Sequence, residues 1–143
     1  MNTKGIFSSR TDEWSTPQDL FDVLNEKYHF DLDPCADTFN HKCELYYTKE
    51  EDGLKRPWEG HNVYCNPPYG REIGKWVQRG YEQSKLPNTS VVMLLPARTD
   101  TKWFHEFIYG KGEITFLKGR LKFGNSRNSA PFPSMIVVFK EEQ

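Results

Sequence analysis

The residues best suited to do chemistry in this chain are Asn66-Pro67-Pro68-Tyr69, set directly after the apolar run Val63-Tyr64-Cys65 and before Gly70. An apolar strand that empties into an amide, two prolines and an aromatic builds a rigid lip at the strand's carboxyl end. In open α/β sheets that is where ligands bind. The Asn66 side-chain oxygen and the Pro67 carbonyl can each accept one N–H. A planar exocyclic amine gripped by two such acceptors is drawn toward tetrahedral geometry, and its lone pair, otherwise delocalised into the ring, turns out of plane. Such a nitrogen can attack an electrophilic methyl group. The prolines fix φ and carry no N–H to compete for the acceptors, and Tyr69 offers a face for a stacked base. The same residue types also make an ordinary turn. The β-like run before them and the glycine behind favour the catalytic reading.

The elements that must position this lip can be read along the chain. Residues 1–13 are polar and read as a flexible arm. Thr16-Pro17 opens a helix over 17–28, with Thr16 able to cap, Pro17 in the first turn and Asp19 near the positive end of the dipole. Leu20, Phe21, Leu24 and Tyr28 recur at helical spacing. Phe30 to Asp33 reads as a short strand stopped by Pro34, and Leu45 to Thr48 as another. Lys49 to Gly53 reads as a charged loop, and Trp58 as a cover over the core's edge. Ile73, Trp76, Val77 and Tyr81 mark an amphipathic helix that ends before Pro87. Val91 to Leu95 is an unbroken apolar run, as expected of a fully buried central strand. Thr99 to Tyr109 carries Trp103, Phe104, Phe107 and Ile108 at helical spacing, with the aromatics read as core. Ile114 to Leu117 and Met135 to Phe139 are the last strands. Alternating strands and helices predict an α/β domain with a mostly parallel sheet. The final strand is approached without a helix and is expected to run antiparallel.

A chain of 143 residues predicts one domain. No apolar run reaches membrane-spanning length, and no secretory leader is read at the N-terminus. Cys35, Cys43 and Cys65 form an odd set without a CxxC pair, which predicts a reducing, cytoplasmic setting. His41-x-Cys43 and His61-x3-Cys65 match no common zinc spacing, so no metal is expected. Net charge is −1, yet residues 1–65 hold 7 Lys+Arg and 13 Asp+Glu while residues 66–143 hold 12 and 7. A polyanionic partner would meet the second half, at Lys111, Lys118, Arg120, Lys122 and Arg127. A solvated face is the alternative for such a run, and a monomer is the expected state.

Taken together the segments resemble phage-type DNA N-6-adenine methyltransferases. The resemblance rests on Asp12-Glu13-Trp14-Ser15-Thr16-Pro17, Leu32-Asp33-Pro34-Cys35-Ala36, Glu51-Asp52-Gly53-Leu54, Cys65 to Gly70, Leu95 to Thr101 with Trp103-Phe104, Lys118 to Phe123, and Ala130 to Met135. It implies a Rossmann-like methyltransferase fold of minimal size, S-adenosylmethionine as donor, and adenine in DNA as acceptor. It also implies that Asn66, Pro67, Pro68 and Tyr69 are catalytic, and that Asp33-Pro34-Cys35-Ala36 holds the methionine end of the donor, with a carboxylate for its α-amino group. Thr16-Pro17 resembles the segment that closes over the same cofactor; Thr16 serves a plain helix cap equally well. The Gly-x-Gly turn that the wider superfamily places after its first strand is replaced here by Ala36-Asp37-Thr38. Asp37 and Asp52 are the candidates for the ribose hydroxyls. Arg98 and Thr99 leave the central strand on the ligand side, to line a base pocket, contact a phosphate, or form an exposed turn capped at Asp100 or Thr101. With no dedicated recognition domain, a short target sequence is expected, read by loops 98–103 and 119–133. RNA bases, protein glutamine, or an inactive nucleic-acid-binding module are the competing readings.

Overall fold

The computed structural model describes residues 14–124 and 128–141; the arm over 1–13 and Arg127 lie outside the described residues. Strands β1 (Leu32–Asp33), β2 (Leu45–Tyr46), β3 (Asn62–Cys65), β4 (Ser90–Pro96), β5 (Glu113–Phe116) and β6 (Ser134–Lys140) form one sheet in the order β2-β1-β3-β4-β6-β5. The pairs β1–β2, β1–β3 and β3–β4 are parallel, and β6 runs antiparallel to both β4 and β5. The expected mostly parallel sheet with an antiparallel last strand is therefore present. Val91 to Leu95 are fully buried between β3 and β6, so the apolar run is the sheet's centre.

Helix α1 spans Gln18–Tyr28 and α2 spans Ile73–Gln83. Each lies within a residue or two of the periodic pattern that predicts it. Pro17 occupies the cap position of α1 and no side chain caps it, so Thr16 is not a helix cap. Its hydroxyl is spent elsewhere, as described below. Helix α2 buries Ile73, Trp76, Val77 and Gly80. A Cβ at Gly80 would fall 2.9 Å from Met93 Sδ, so the missing side chain lets the helix lie close on β4. Beyond Arg98 the chain turns helical again. Thr101 Oγ1 accepts the Phe104 N–H at 3.3 Å, and a widened turn over Phe104–Ile108 closes with Tyr109 N–H on the Phe104 carbonyl at 2.8 Å.

Two strands are shorter than their patterns suggest. Phe30 leaves the ladder and joins an aromatic cluster, its ring 5.5 Å from Phe21 and 5.2 Å from Tyr64, so β1 begins only at Leu32. Strand β2 is a two-residue edge and stops at Tyr46. Trp58 is not an edge cover. It is fully buried, its indole N–H donating to the Gly53 carbonyl at 2.9 Å.

The chain steps from β1 outward to β2, returns to the far side of β1 as β3, and continues outward to β4. The reversal leaves a crevice at the carboxyl ends of β1 and β3, the place where doubly wound sheets bind ligands.

Candidate active site

A cleft of about 650 Å³ opens at that reversal. Residues 33–37 come to it from the end of β1, Asn66, Pro67 and Pro68 from the end of β3, and Trp14 to Thr16 from the segment before α1. Residues 48, 49 and 52–54 close one side, and Glu72 and Trp76 reach it from α2. Thr16, Asp33, Pro34, Cys35, Ala36, Asp37, Asp52, Asn66, Pro67 and Pro68, scattered through the first half of the sequence, thus share one cavity.

Asn66 is oriented from behind. Its Nδ2 donates to the Trp14 carbonyl and, at 3.1 Å, to Thr16 Oγ1. Thr16 is 5% exposed, and its Oγ1 also lies 2.6 Å from the Tyr64 hydroxyl. Both N–H groups of the amide are spent on residues 14 and 16. Its oxygen, Oδ1, is buried without a partner among the described residues. A buried acceptor left open costs about 1–3 kcal/mol, an arrangement expected where a ligand supplies the missing donor.

The chain matches the family described as DNA N-6-adenine-methyltransferase (Dam) over residues 4–143. It is 34% identical to the DNA N-6-adenine-methyltransferase of Haemophilus phage HP1, over 97% of this chain and 83% of that one. The protein of the same description from Escherichia phage T1 is 38% identical over 77% of this chain and 46% of its own length. The chain belongs to the DNA N-6-adenine-methyltransferase family.

Within that family frame the loop after β1 is built without the expected glycines. Ala36 N–H donates to the Tyr47 carbonyl and Tyr47 N–H to the Asp33 carbonyl, both at 3.0 Å, which pins the loop to the end of β2. Gly53 packs against this loop from outside it, its α-carbon lying against the Pro34 carbonyl. The carboxylate of Asp33 is 5% exposed, taking the Lys42 N–H on Oδ2 at 2.9 Å and the Cys35 N–H on Oδ1 at 3.3 Å. Burial pushes its pKa up to about 6, against the pull of those two bonds and of His41 and Lys42 nearby. Asp37 closes its own turn, Oδ1 accepting from Phe39 and Asn40. Asp52 sits at φ 60° and caps the short turn Gly53–Lys55 through the Leu54 N–H at 3.2 Å. All three acids hold backbone as well as face the cleft.

Of the remaining residues, Tyr69 and Pro17 are placed differently from the sequence reading. Tyr69 does not present a free face. It is 3% exposed, its hydroxyl donates to the Leu94 carbonyl at 2.8 Å, and the rings of Phe132 and Phe123 meet it edgewise at 5.6 and 6.2 Å. Pro17 caps α1 and is not part of the cleft wall. Arg98, half-buried, reaches the Tyr69 carbonyl at 3.4 Å, while Thr99 is exposed. Lys118, Arg120 and Lys122 lie outside the cleft on exposed backbone, Arg120 reaching the Ala130 carbonyl at 3.5 Å. Cys65 is fully buried and its thiol pKa is pushed well up by that burial, so it is a packing residue and not a nucleophile. No group of three potential metal-ligating side chains occurs among the described residues, and none of their helices is long and apolar enough to cross a membrane.

Tyr64, Trp14, Gly53 and Glu72 are site residues that the sequence reading passes over. For Tyr64 a signal existed: on a strand, residues 64 and 66 leave by the same face. Trp14 and Gly53 stand in segments that carry the family resemblance, but their contacts, like those of Glu72, depend on non-local approach.

Proposed function

We propose that the protein transfers a methyl group from S-adenosylmethionine to the N6 amine of adenine in DNA. The observation that carries this reading is the buried Oδ1 of Asn66, a residue of the cleft wall: it is unpaired among the described residues while both N–H groups of its amide are engaged. It is an acceptor without a donor, and an exocyclic amine is a donor without a strong acceptor.

The cleft suits the cofactor chemically. Its described lining holds Asp33, Asp37, Asp52 and Glu72 against Lys42 and Lys49, an acidic balance matched to a molecule bearing a sulfonium and an ammonium. Asp33 would take the α-amino group, since each of its oxygens accepts one N–H and keeps a lone pair. Residues 34–36 would line the methionine end, and Asp37 or Asp52 would meet the ribose hydroxyls. Bound there, S-adenosylmethionine supplies the electrophilic methyl carbon.

The protein's part is orientation and polarisation. Asn66 Oδ1 and the Pro67 carbonyl accept the two N–H groups of the amine, localise the lone pair and stabilise the positive charge that develops on nitrogen. Prolines 67 and 68 keep the lip from relaxing. Holding the two reactants in line could lower the barrier by about 7–11 kcal/mol. In duplex DNA the adenine must first leave the stack, at a cost of about a few kcal/mol. Lys118, Arg120 and Lys122 would meet the phosphates, and Arg98 would stand at the lip beside Tyr69.

The test is transfer from tritiated S-adenosylmethionine to DNA, RNA and protein in parallel, followed by a nucleoside digest. Label in N6-methyladenine from DNA is expected. Label confined to RNA, to protein, or to N4-methylcytosine would overturn the reading.

A further inference from the structure

The Asn66 amide is anchored by contacts that run back into the sheet. Tyr64 is 1% exposed, and its ring is held by Phe21 at 5.1 Å and Phe30 at 5.2 Å. Its hydroxyl is thereby fixed where Thr16 Oγ1 meets it at 2.6 Å. Thr16 in turn accepts an N–H of Asn66 at 3.1 Å.

A carboxamide can turn either its oxygen or its nitrogen toward the cleft, and its partners decide which. The Trp14 carbonyl can only accept, so it selects nitrogen. Thr16 can donate or accept and does not discriminate unless its own proton is engaged elsewhere. Among the contacts described, the Tyr64 oxygen is the group within reach of that proton. When it takes the Thr16 hydrogen, a lone pair of Thr16 is left facing Asn66. Burial pushes the Tyr64 phenol pKa well above its usual range, so the group meeting Thr16 is a neutral hydroxyl, whose oxygen still has lone pairs to accept with.

We propose that Tyr64 is a positioning residue: by holding Thr16 Oγ1 as an acceptor, it fixes the Asn66 amide with nitrogen inward and oxygen toward the reacting amine. Thr16 is then a link to Asn66 rather than a cofactor clamp. The kinetic consequence rests on the methyl-transfer reading, whereas the orientation of the amide does not.

Two arms test it, on Tyr64→Phe, Thr16→Val and Thr16→Ser. In the free protein, the Asn66 side-chain NH2 signals, assigned by their loss in Asn66→Ala, are expected to exchange slowly with water. Tyr64→Phe and Thr16→Val should shift both signals and speed exchange, and Thr16→Ser should restore them. In turnover, loss of one such hydrogen bond predicts a fall in kcat of about tenfold. KM for DNA and affinity for S-adenosylmethionine should be unchanged, Thr16→Ser should recover the rate, and Tyr64→Phe combined with Asn66→Ala should be no slower than Asn66→Ala alone. Asn66 NH2 signals identical in wild type and Thr16→Val would overturn the proposal. Wild-type protein that transfers no methyl group would overturn the proposed function instead, and the NMR arm would still decide the positioning role. Should Tyr64→Phe fail to fold, the two Thr16 variants carry both arms.

Discussion

Gly53 and Pro34 meet backbone to backbone: a Cβ on residue 53 would fall 2.0 Å from the Pro34 carbonyl oxygen and 3.1 Å from Trp76 Cη2. The contact braces the loop after β1 from the side of β2. In Gly53→Ala the carbonyl must move, because neither backbone can yield cheaply. A loss of about 1–3 kcal/mol in stability is expected, together with weaker binding of S-adenosylmethionine. Urea denaturation and calorimetric titration measure the two. An alanine variant equal to wild type in both would show that the approach does not matter.

Removing the open acceptor should abolish chemistry without emptying the cleft. Asn66→Ala is expected to lower kcat by about 10²–10³, the range seen when one polarising group is deleted from an active site. Affinity for S-adenosylmethionine should persist, as measured by ligand-induced thermal stabilisation. Wild-type-like turnover would remove Asn66 from the mechanism.

Asp33 should leave a signature in the pH dependence of stability. Its folded pKa of about 6 lies above the ordinary 3.8 because burial penalises the ionised form. Between these values the native state holds a proton that the unfolded state has released. Stability contributed by this group is therefore fully present below about pH 4 and is lost as pH rises to about 6, by about 3 kcal/mol in total. Asp33→Asn should flatten that stretch of the curve in denaturant titrations. Because a bound ammonium favours the carboxylate, affinity for S-adenosylmethionine should rise from pH 5 to 7 in wild type and not in Asp33→Asn. A variant with the same pH profile as wild type would exclude Asp33 as the partner.

Lys118, Arg120 and Lys122 are exposed and lie outside the cleft. Each that contacts a phosphate should, when changed to alanine, reduce the slope of log affinity against log salt by about one, with similar losses across DNA sequences. Unchanged slopes would assign these residues to a solvated face. Methylation of oligonucleotides with varied context should reveal a short target; a strict, long one would contradict a reader built only from loops 98–103 and 119–133.

What the sequence made legible were the features that depend on neighbours along the chain. The spacing of Ile73, Trp76 and Val77 repeats at a helical period, while the Val91–Leu95 run and the run before Asn66 are of strand length and are closed by Pro96 and by Asn66-Pro67. Asn66 itself was legible because amide, prolines and aromatic occur together. What was not legible depends on distant partners. Tyr69 reads as a stacking face until Phe123 and Phe132 are folded onto it, and Thr16 reads as a cap until Tyr64 and Asn66 claim its hydroxyl. Gly53 reads as part of an ordinary charged turn until Pro34 is folded against it.

Trp14 gives its carbonyl to Asn66 and its ring to Phe123 and Phe132, with centroids 5.4 and 5.1 Å away, while Ser15 beside it accepts the Gly124 N–H at 2.8 Å. One tryptophan is thus the shared hinge pin of the reacting edge and the segment that flanks the cationic residues. A change of length or sequence in that outer segment would be felt at the amide through Trp14 and its neighbour Ser15, so variants far from the chemistry can be expected to alter rate before they alter grip.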